Sequence, residues 1–353
     1  MSKADKIRNF DPNSPGDPNS NIYGLPFSCE EAEVVIVPVP WDVTVSYSDG
    51  TSKGPAAIFE ASFQVDLYEP QINDAWKLGL AMEEISDEVS SRTEMLRAEA
   101  KTVIDAITNG VDPSKDYSIG KILAQVNEGS AWLNSWVKKR CADWMEKGKL
   151  VCLLGGDHST PFGFMQALAG KYESFGILQL DAHADLRKAF EGFTYSHASI
   201  MYNALTLPQV TKLVQVGIRD FCQEEAELIR SSNGRVKTFF DRDLKHQGYT
   251  GVTWAEQVDE IIAHLPAHVY VSFDIDGLDP KLCPHTGTPV AGGMEFEQAA
   301  YLIQKLASSG KKIIGMDLNE VAPGPEGDEW DANVGARMLF RMCNLMALSN
   351  GRF

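Results

Sequence analysis

The sequence has no paired cysteines, no long apolar segment and no visible signal peptide. Its longest apolar runs have the length of a β-strand, well short of the ~20 residues that a membrane-spanning helix needs. The N-terminus contains no apolar region of the kind found in secretory signals. None of the six cysteines lies in a Cys-x-x-Cys motif, and in so long a chain they are typical of reduced thiols. We therefore expect a cytoplasmic protein without membrane association.

Basic residues are also scarce in this chain. It contains 32 lysines and arginines against 49 aspartates and glutamates, which gives a formal net charge of −17. This balance argues against a nucleic-acid partner, which would require a basic surface. It mildly favours a cationic substrate, because a negative surface attracts cations. Hydrophobic residues make up 44% of the sequence, enough for a large buried core.

The order of apolar and polar segments predicts an α/β protein. Residues 1–27 are rich in Asn, Asp, Pro and Gly and show no helical or strand periodicity, so we interpret them as an extended arm. Residues 28–353 are expected to form one domain, with 91–148 as a helical elaboration. Strands and helices alternate along this domain, which favours a mostly parallel sheet covered by helices on both faces.

The predicted elements can be stated by their bounds. Apolar runs predict strands at residues 33–40, 150–154, 175–180, 212–218, 236–240, 268–273 and 312–318. Apolar spacing near 3.6 residues, together with capping signals, predicts helices at residues 54–59, 92–109, 119–147, 223–231, 254–264, 296–308 and 335–347.

Three short polar segments each follow an apolar run typical of a buried parallel strand. They are residues 154–159 (Leu-Gly-Gly-Asp-His-Ser), 181–185 (Asp-Ala-His-Ala-Asp) and 272–280 (Ser-Phe-Asp-Ile-Asp-Gly-Leu-Asp-Pro). In open α/β sheets, side chains just beyond the carboxyl ends of the strands face a common crevice. The ligand-type residues expected there are His158, Asp181, His183, Asp185, Asp274 and Asp276. Two imidazoles and four carboxylates suit two divalent metal ions with bridging carboxylates.

Each of these residues also has an ordinary structural interpretation. A single aspartate after a strand often caps a turn or helix, as Asp157 and Ser159 would do. Six ligand-type residues in three similar contexts favour a metal site instead, because unpaired carboxylates clustered at a sheet end are costly to bury. Two further residues fall near the same crevice. His197 lies on the loop after Asp185, and Glu320 follows the predicted strand at 312–318.

These segments, together with residues 286–289 (Thr-Gly-Thr-Pro) and 319–323 (Asn-Glu-Val-Ala-Pro), resemble the signature segments of the ureohydrolases, the arginase and agmatinase superfamily. The resemblance implies a three-layer α/β/α fold around a parallel eight-stranded sheet, and assembly into homotrimers or homohexamers. It also implies two manganese ions. By this resemblance, one ion is held by His158, Asp181, Asp185 and Asp274, and the other by Asp181, His183, Asp274 and Asp276.

The resemblance also implies a role for three of the residues. Asp185 would orient the attacking water and relay its proton. Glu320 would hold the substrate cation over the metals by charge-assisted hydrogen bonds, and His197 would carry protons at the mouth of the crevice. The substrate would be a guanidinium, which stays protonated because its pKa lies above ~12. The products would be urea and an amine or ammonia.

The sequence favours a small guanidino substrate, with free guanidine first and agmatine second. Residues 185–197 resemble agmatinases, whereas residues 39–47 resemble the branch that hydrolyses free guanidine, which is described as nickel-dependent. Trp330 is interpreted either as a cap over a small cation through a cation–π contact or as an ordinary packed tryptophan. The metal is therefore expected to be Ni²⁺ or Mn²⁺. A non-catalytic subunit is a remote alternative, which the full ligand set disfavours.

Arginine is predicted to be a poor substrate. Arginases carry an acidic residue for the α-amino group two positions after the Asp of a segment similar to residues 217–220, and here Cys222 occupies that place. We expect kcat/KM for arginine to lie below that for a smaller or decarboxylated guanidino compound, measured as urea release. An arginine value above that of every such compound would contradict this interpretation.

Overall fold

Eight parallel strands form a single sheet in the computed structural model, which describes residues 1–353. The strands are β1 (Val34–Val39), β2 (Leu80–Met82), β3 (Leu150–Gly155), β4 (Phe175–Leu180), β5 (Val210–Ile218), β6 (Val236–Phe240), β7 (His268–Asp274) and β8 (Lys312–Asn319). Their order across the sheet is β2-β1-β3-β8-β7-β4-β5-β6, and every neighbouring pair is parallel. The predicted α/β class and the eight-stranded parallel sheet are confirmed.

Eleven helices surround the sheet. They are α1 (Lys3–Asn9), α2 (Gly54–Ser62), α3 (Asp87–Thr108), α4 (Tyr117–Glu146), α5 (Phe162–Lys171), α6 (Ile200–Leu205), α7 (Gln223–Ser231), α8 (Asp241–Tyr249), α9 (Trp254–Ala263), α10 (Phe296–Ala307) and α11 (Trp330–Ser349). The core has two parts, one on each face of the sheet. Side chains of α2, α9, α10 and α11 belong to one part, and side chains of α3 to α6 belong to the other.

Burial on both faces explains why the strands appear as continuous apolar runs. In β1, Val34 and Ile36 enter one part of the core, whereas Val35 and Val37 enter the other. A strand covered on both sides needs apolar residues at every position. Because all eight strands are parallel, their carboxyl ends lie along one edge of the sheet, and the polar segments follow the strands there.

The N-terminal segment differs from the prediction. Residues 1–27 are predicted to form an extended arm without helical or strand periodicity, but Lys3–Asn9 form helix α1 and Ile22–Gly24 form a 3₁₀ turn. The start of α1 is stabilised by a capping box in which Ser2 and Asp5 exchange hydrogen bonds. The helix has no buried residue, so it produces no apolar periodicity that a sequence pattern would reveal. Further along, Tyr23 is buried and its hydroxyl donates to the Ala336 carbonyl at 2.9 Å.

Four other elements were missed by the sequence interpretation. Strand β2 has only three residues, too few to show a period. Helix α5 is buried around most of its circumference and therefore lacks an apolar stripe. Helix α8 is mostly polar, and α6 has only six residues. The predicted helices at 92–109 and 119–147 correspond to α3 and α4.

The remaining general expectations have mixed outcomes. All six cysteines are free thiols. None of the helices combines the length and the apolar character required to cross a bilayer. The cytoplasmic location, the division of the chain at residue 27 and the assembly into trimers or hexamers stay predictions.

Candidate metal centre

The three polar segments meet beyond the carboxyl ends of β3, β4 and β7. His158 follows β3, the ligand-type residues of segment 181–185 follow β4, and Asp274 ends β7, with Asp276 in the 3₁₀ turn after it. Strands β4 and β7 are neighbours, and only β8 separates β7 from β3. The sheet order therefore places all six predicted ligands in one buried cluster.

The cluster divides into two groups that share Asp181. Around His158 Nδ1, carboxylate oxygens lie 3.0 Å away on Asp181, 3.1 Å away on Asp185 and 3.3 Å away on Asp274. His183 Nδ1 lies 2.9 Å from Asp276 Oδ2 and 3.6 Å from Asp181 Oδ1. One oxygen of Asp181 thus faces each imidazole, which is the arrangement expected of a carboxylate that bridges two ions.

The charges and unpaired atoms of the cluster fit divalent cations. His158 Nδ1 and Asp276 Oδ2 are buried and form no hydrogen bond, because the short distances to their neighbours lack hydrogen-bond geometry. Leaving such groups unsatisfied costs about 1–3 kcal/mol each. Burial and the Asp181 charge raise the pKa of Asp185 to about 7. Burial and the charges of Asp276 and Asp181 raise the pKa of Asp274 well above its ordinary value. A divalent ion would satisfy the free atoms and reverse both shifts. Oxygen and imidazole ligands accept either nickel or manganese.

Ser272 and Asp317 fix the orientation of the His158 ring, and the sequence interpretation assigned neither a role. Ser272 Oγ donates to Asp317 Oδ1 at 3.0 Å and lies 2.9 Å from His158 Nε2. Because the serine proton is committed to the aspartate, Nε2 must carry the ring proton and donate it to Ser272. The lone pair is then on Nδ1, which faces the carboxylates. The available signal was an aspartate inside the otherwise apolar strand at 312–318.

Two residues at the site adopt a left-handed backbone conformation that is rare outside glycine. Asp185 has φ 54° and Glu320 has φ 64°. The Asp185 carbonyl accepts hydrogen bonds from the first turn of α6. The Glu320 amide donates to the Gly156 carbonyl at 2.7 Å, and the Glu320 carbonyl accepts from Thr286 Oγ1 at 2.7 Å. Such conformations cost of order 1–3 kcal/mol and persist where surrounding contacts impose them, often at functional sites.

Glu320 lies beside the metal-ligand cluster, as the sequence predicted. Its side chain is buried, and Oε1 accepts a hydrogen bond from the backbone amide of His158 at 2.8 Å. No protein group donates to Oε2. Burial, with the nearby Asp157 charge, raises the pKa of Glu320 well above its ordinary value. A cationic group bound next to Oε2 would restore the charged form. Glu320 is not among the residues that line the cavity over the cluster, and its contact with substrate stays a prediction.

A small cavity opens over the cluster. It has a volume of about 140 Å³, and His183, Asp185 and His197 are among the residues that line it. Burial and, while His183 is protonated, the His183 charge lower the pKa of His197 to about 3. Arg187 also lines the cavity, and its guanidinium lies 4.9 Å from the centroid of the Phe190 ring.

The helices α3 and α4 hold two of the loops that line this cavity. Arg97 of α3 donates to the carbonyls of Val43 and Val45, next to the lining residue Ser46. Asn127 of α4 donates to a backbone carbonyl and accepts from a backbone amide of the loop after Phe190. The helical elaboration therefore helps to shape the entrance to the site.

Trp330 is not brought together with the other predicted site residues. It begins α11, is 47% exposed and donates its indole N–H to the Lys281 carbonyl at 3.1 Å. It does not line the cavity. The next residue, Asp331, is fully buried and pairs with both the backbone amide and Nδ1 of His285 at 2.9 Å. The start of α11 thus anchors the loop that carries Thr286, and a contact between Trp330 and substrate stays a prediction.

Comparison with known proteins agrees with this geometry. Residues 32–344 match the model of the arginase family. The chain is 31% identical to an N(1)-aminopropylagmatine ureohydrolase of Synechocystis sp., over 84% of this chain and 83% of the relative. It is 30% identical to the protein of the same name from Thermus thermophilus, over 91% and 93% of the two chains. It is also 30% identical to an agmatinase of Bacillus anthracis, over 84% and 86%.

Solved structures show the same fold. The agmatine ureohydrolase of Thermoplasma volcanium superposes with a TM-score of 0.68 at 22% identity, covering 99% of both chains. A hypothetical agmatinase from Burkholderia thailandensis gives a TM-score of 0.69 at 21% identity, covering 95% of this chain and 93% of the other. The three-layer arrangement deduced from the sheet and its helices is therefore shared with these proteins.

We predict that the purified protein binds two divalent ions per chain and that Asp181→Ala abolishes activity. Removing Asp181 takes a ligand from both groups, so neither ion keeps its site. Elemental analysis after reconstitution with nickel or manganese measures the stoichiometry, and urea release measures activity. Asp220→Ala, at an exposed carboxylate on the cavity wall, serves as the control and should keep both ions. One ion or none in the wild-type protein at saturating metal would contradict the two-ion site.

Proposed function

The chain belongs to the arginase family, and we propose that it hydrolyses free guanidine to urea and ammonia. Family membership makes it a metal-dependent hydrolase of guanidino compounds that releases urea. The identity of the substrate and the choice between nickel and manganese are the proposed parts. The principal alternative is agmatine, which would give urea and putrescine.

The size of the cavity is the observation that carries the proposal. Ligand pockets for drug-sized molecules usually measure about 300–1,000 Å³, whereas this cavity has about 140 Å³ above the ligand cluster. A cavity of that size accommodates a molecule of a few heavy atoms. Free guanidine, a planar cation with one carbon and three nitrogens, meets this limit better than a guanidine with a long aliphatic chain.

Arg187 also favours a substrate with a single positive charge. Arg187 lines the cavity, so its positive charge would repel the terminal ammonium of agmatine. Glu225, another wall residue, offers little compensation, because its two oxygens already accept hydrogen bonds from the backbone amides of Leu186 and Cys222. Two observations support agmatine as the second candidate. Agmatinases are among the relatives, and the exposed Asp220 carboxylate at the rim could pair with the terminal ammonium.

The protein groups then have distinct tasks in hydrolysis. Two divalent ions in the cluster would make water acidic enough to act as a nucleophile near neutral pH. Glu320 offers its free oxygen to the N–H groups of the guanidinium and so holds the planar carbon over the cluster. Asp185 is placed to accept the proton of the attacking water and pass it to the departing nitrogen. His197, neutral at the cavity wall, is placed to exchange that proton with solvent.

A substrate panel tests the proposal. The nickel- and manganese-reconstituted enzymes are each assayed for urea release from guanidine, agmatine, arginine and guanidinobutyrate. We expect guanidine to give the highest kcat/KM. A higher value for agmatine with both metals would overturn the choice of guanidine and support the alternative.

A variant of Arg187 tests its effect on substrate choice in the same assay. Arg187→Ala should raise kcat/KM for agmatine relative to guanidine about tenfold or less, since removing one partially screened like-charge contact is worth roughly 1 kcal/mol. Arg242→Ala, at an exposed position outside the cavity, is the matched control and should leave the ratio unchanged.

Glu320→Gln is predicted to keep both metal ions and lose most of the turnover. Glutamine retains an oxygen to accept the hydrogen bond from His158, but the guanidinium loses its charged partner. The deficit for a buried charge pair is roughly 2–5 kcal/mol, which is about thirtyfold to several thousandfold in kcat/KM. Glu326→Gln, at an exposed glutamate, is the control. Loss of metal, or a near-normal kcat/KM, would show that Glu320 has a different role.

A further inference from the structure

One row of paired positions crosses five neighbouring strands with polar side chains. Strand register pairs these residues in sequence across β6, β5, β4, β7 and β8, and they are Thr238, Gln215, Gln179, Ser272 and Asp317. The last four are completely buried. A strand covered on both faces normally carries apolar residues at such positions, so a continuous polar row directly below the metal-ligand cluster calls for an explanation.

The first three residues of this row form a chain of hydrogen bonds that ends on Asp181. Thr238 Oγ1 donates to Gln215 Oε1 at 2.8 Å, and Gln215 Nε2 donates to Gln179 Oε1 at 2.7 Å. Gln179 Nε2 then donates to Asp181 Oδ2 at 2.8 Å. The chain therefore connects a partly exposed threonine on the last strand of the sheet to the carboxylate shared by the two ligand groups.

Backbone carbonyls fix the direction of the chain. Gln215 Nε2 also donates to the Ala184 carbonyl at 2.7 Å, and Gln179 Nε2 also donates to the His183 carbonyl at 3.2 Å. A carbonyl can only accept, so each glutamine must present its NH₂ group on that side. Both N–H donors of each amide are thereby used, and Asp181 can only act as an acceptor.

These contacts restrain the whole segment 181–185. Asp181 Oδ1 accepts from the His183 amide at 2.6 Å while Oδ2 accepts from Gln179, so the plane of the carboxylate is held from both sides. Each oxygen keeps a further lone-pair direction for a metal ion. The two amides also hold the carbonyls of residues 183 and 184, immediately before the left-handed turn at Asp185.

We propose that Gln179 and Gln215 are positioning residues for the metal centre. Gln179 acts directly on the bridging carboxylate of Asp181. Gln215 acts indirectly, because it orients the Gln179 amide and donates to the Ala184 carbonyl. Fully satisfied buried networks of this kind are rigid, and removing a partner leaves an expensive unpaired group. The inference rests on the proposed two-ion centre.

Methionine substitutions test the proposal, because methionine approximates the length of glutamine but cannot form these hydrogen bonds. Gln179→Met and Gln215→Met are compared with wild type by chelator competition against the nickel- or manganese-loaded enzyme, which yields the metal dissociation constants. Gln257→Met is the matched control. Gln257 is also a buried glutamine, but it donates to the Leu244 carbonyl in a helix outside the site.

We expect Gln179→Met to weaken metal binding about 10- to 100-fold, the range typical of partners that orient metal ligands. Gln215→Met should weaken it about two- to tenfold, the equivalent of one indirect hydrogen bond, and Gln257→Met should leave it unchanged. Circular dichroism establishes that each variant is folded. A folded Gln179→Met with the wild-type dissociation constant would overturn the proposal.

A folding defect would not leave the question open. If Gln179→Met fails to fold, Gln215→Met and Thr238→Val decide, because they alter only the outer links of the chain. Unchanged metal affinity in both would overturn the proposal, and weakened affinity in Gln215→Met would support it. Failure of the proposed function gives a different result, since the wild-type protein would then bind no metal or release no urea.

Discussion

Mutual repulsion among four buried carboxylates is the constraint on which the rest of the structure depends. Asp181, Asp185, Asp274 and Asp276 are each at most 5% exposed, and their oxygens converge on two imidazoles. Two like charges about 4 Å apart repel by several kcal/mol at the effective dielectric constant of a protein. Two histidines can offset at most two of the four charges. Divalent cations, on which the arginase family depends, would offset the rest and supply the hydrolytic chemistry.

The parallel sheet makes this concentration of charge possible. The strands are mostly apolar apart from the polar row, and the charged ligand residues lie at or just beyond their carboxyl ends. These side chains therefore meet at one edge of the sheet while the core remains continuous beneath them. The polar row at the end of the strands lies between these two environments. Ser272 of this row orients the His158 ring, and Gln179 orients the Asp181 carboxylate. The sheet thus provides the position of the ligands as well as their proximity.

Elements outside the sheet determine what can reach the ions. Helices α3 and α4 hold two of the loops that line the cavity, through Arg97 and Asn127. The start of α11 holds the loop of Thr286 through Asp331 and His285. The resulting cavity of about 140 Å³ has a cation, Arg187, in its wall. Hydrolysis of guanidino compounds is therefore a property of the sheet edge, whereas selection among such substrates is a property of the surrounding loops and helices.

The sequence by itself determined the fold class, the ligand-bearing segments and the family. These features are local, because an apolar run followed by Asp-x-His-x-Asp can be identified without knowing which residues contact it in the fold. The six predicted ligands lie together as expected. Only the tertiary structure decided the rest. Gln215 and Asp317 contribute to the site only because strand register pairs them with Gln179 and Ser272. Trp330 lies away from the cavity, where its indole donates to the Lys281 carbonyl. Such contacts join residues far apart in the chain, and strand order and register, which set them, leave no local pattern in the sequence.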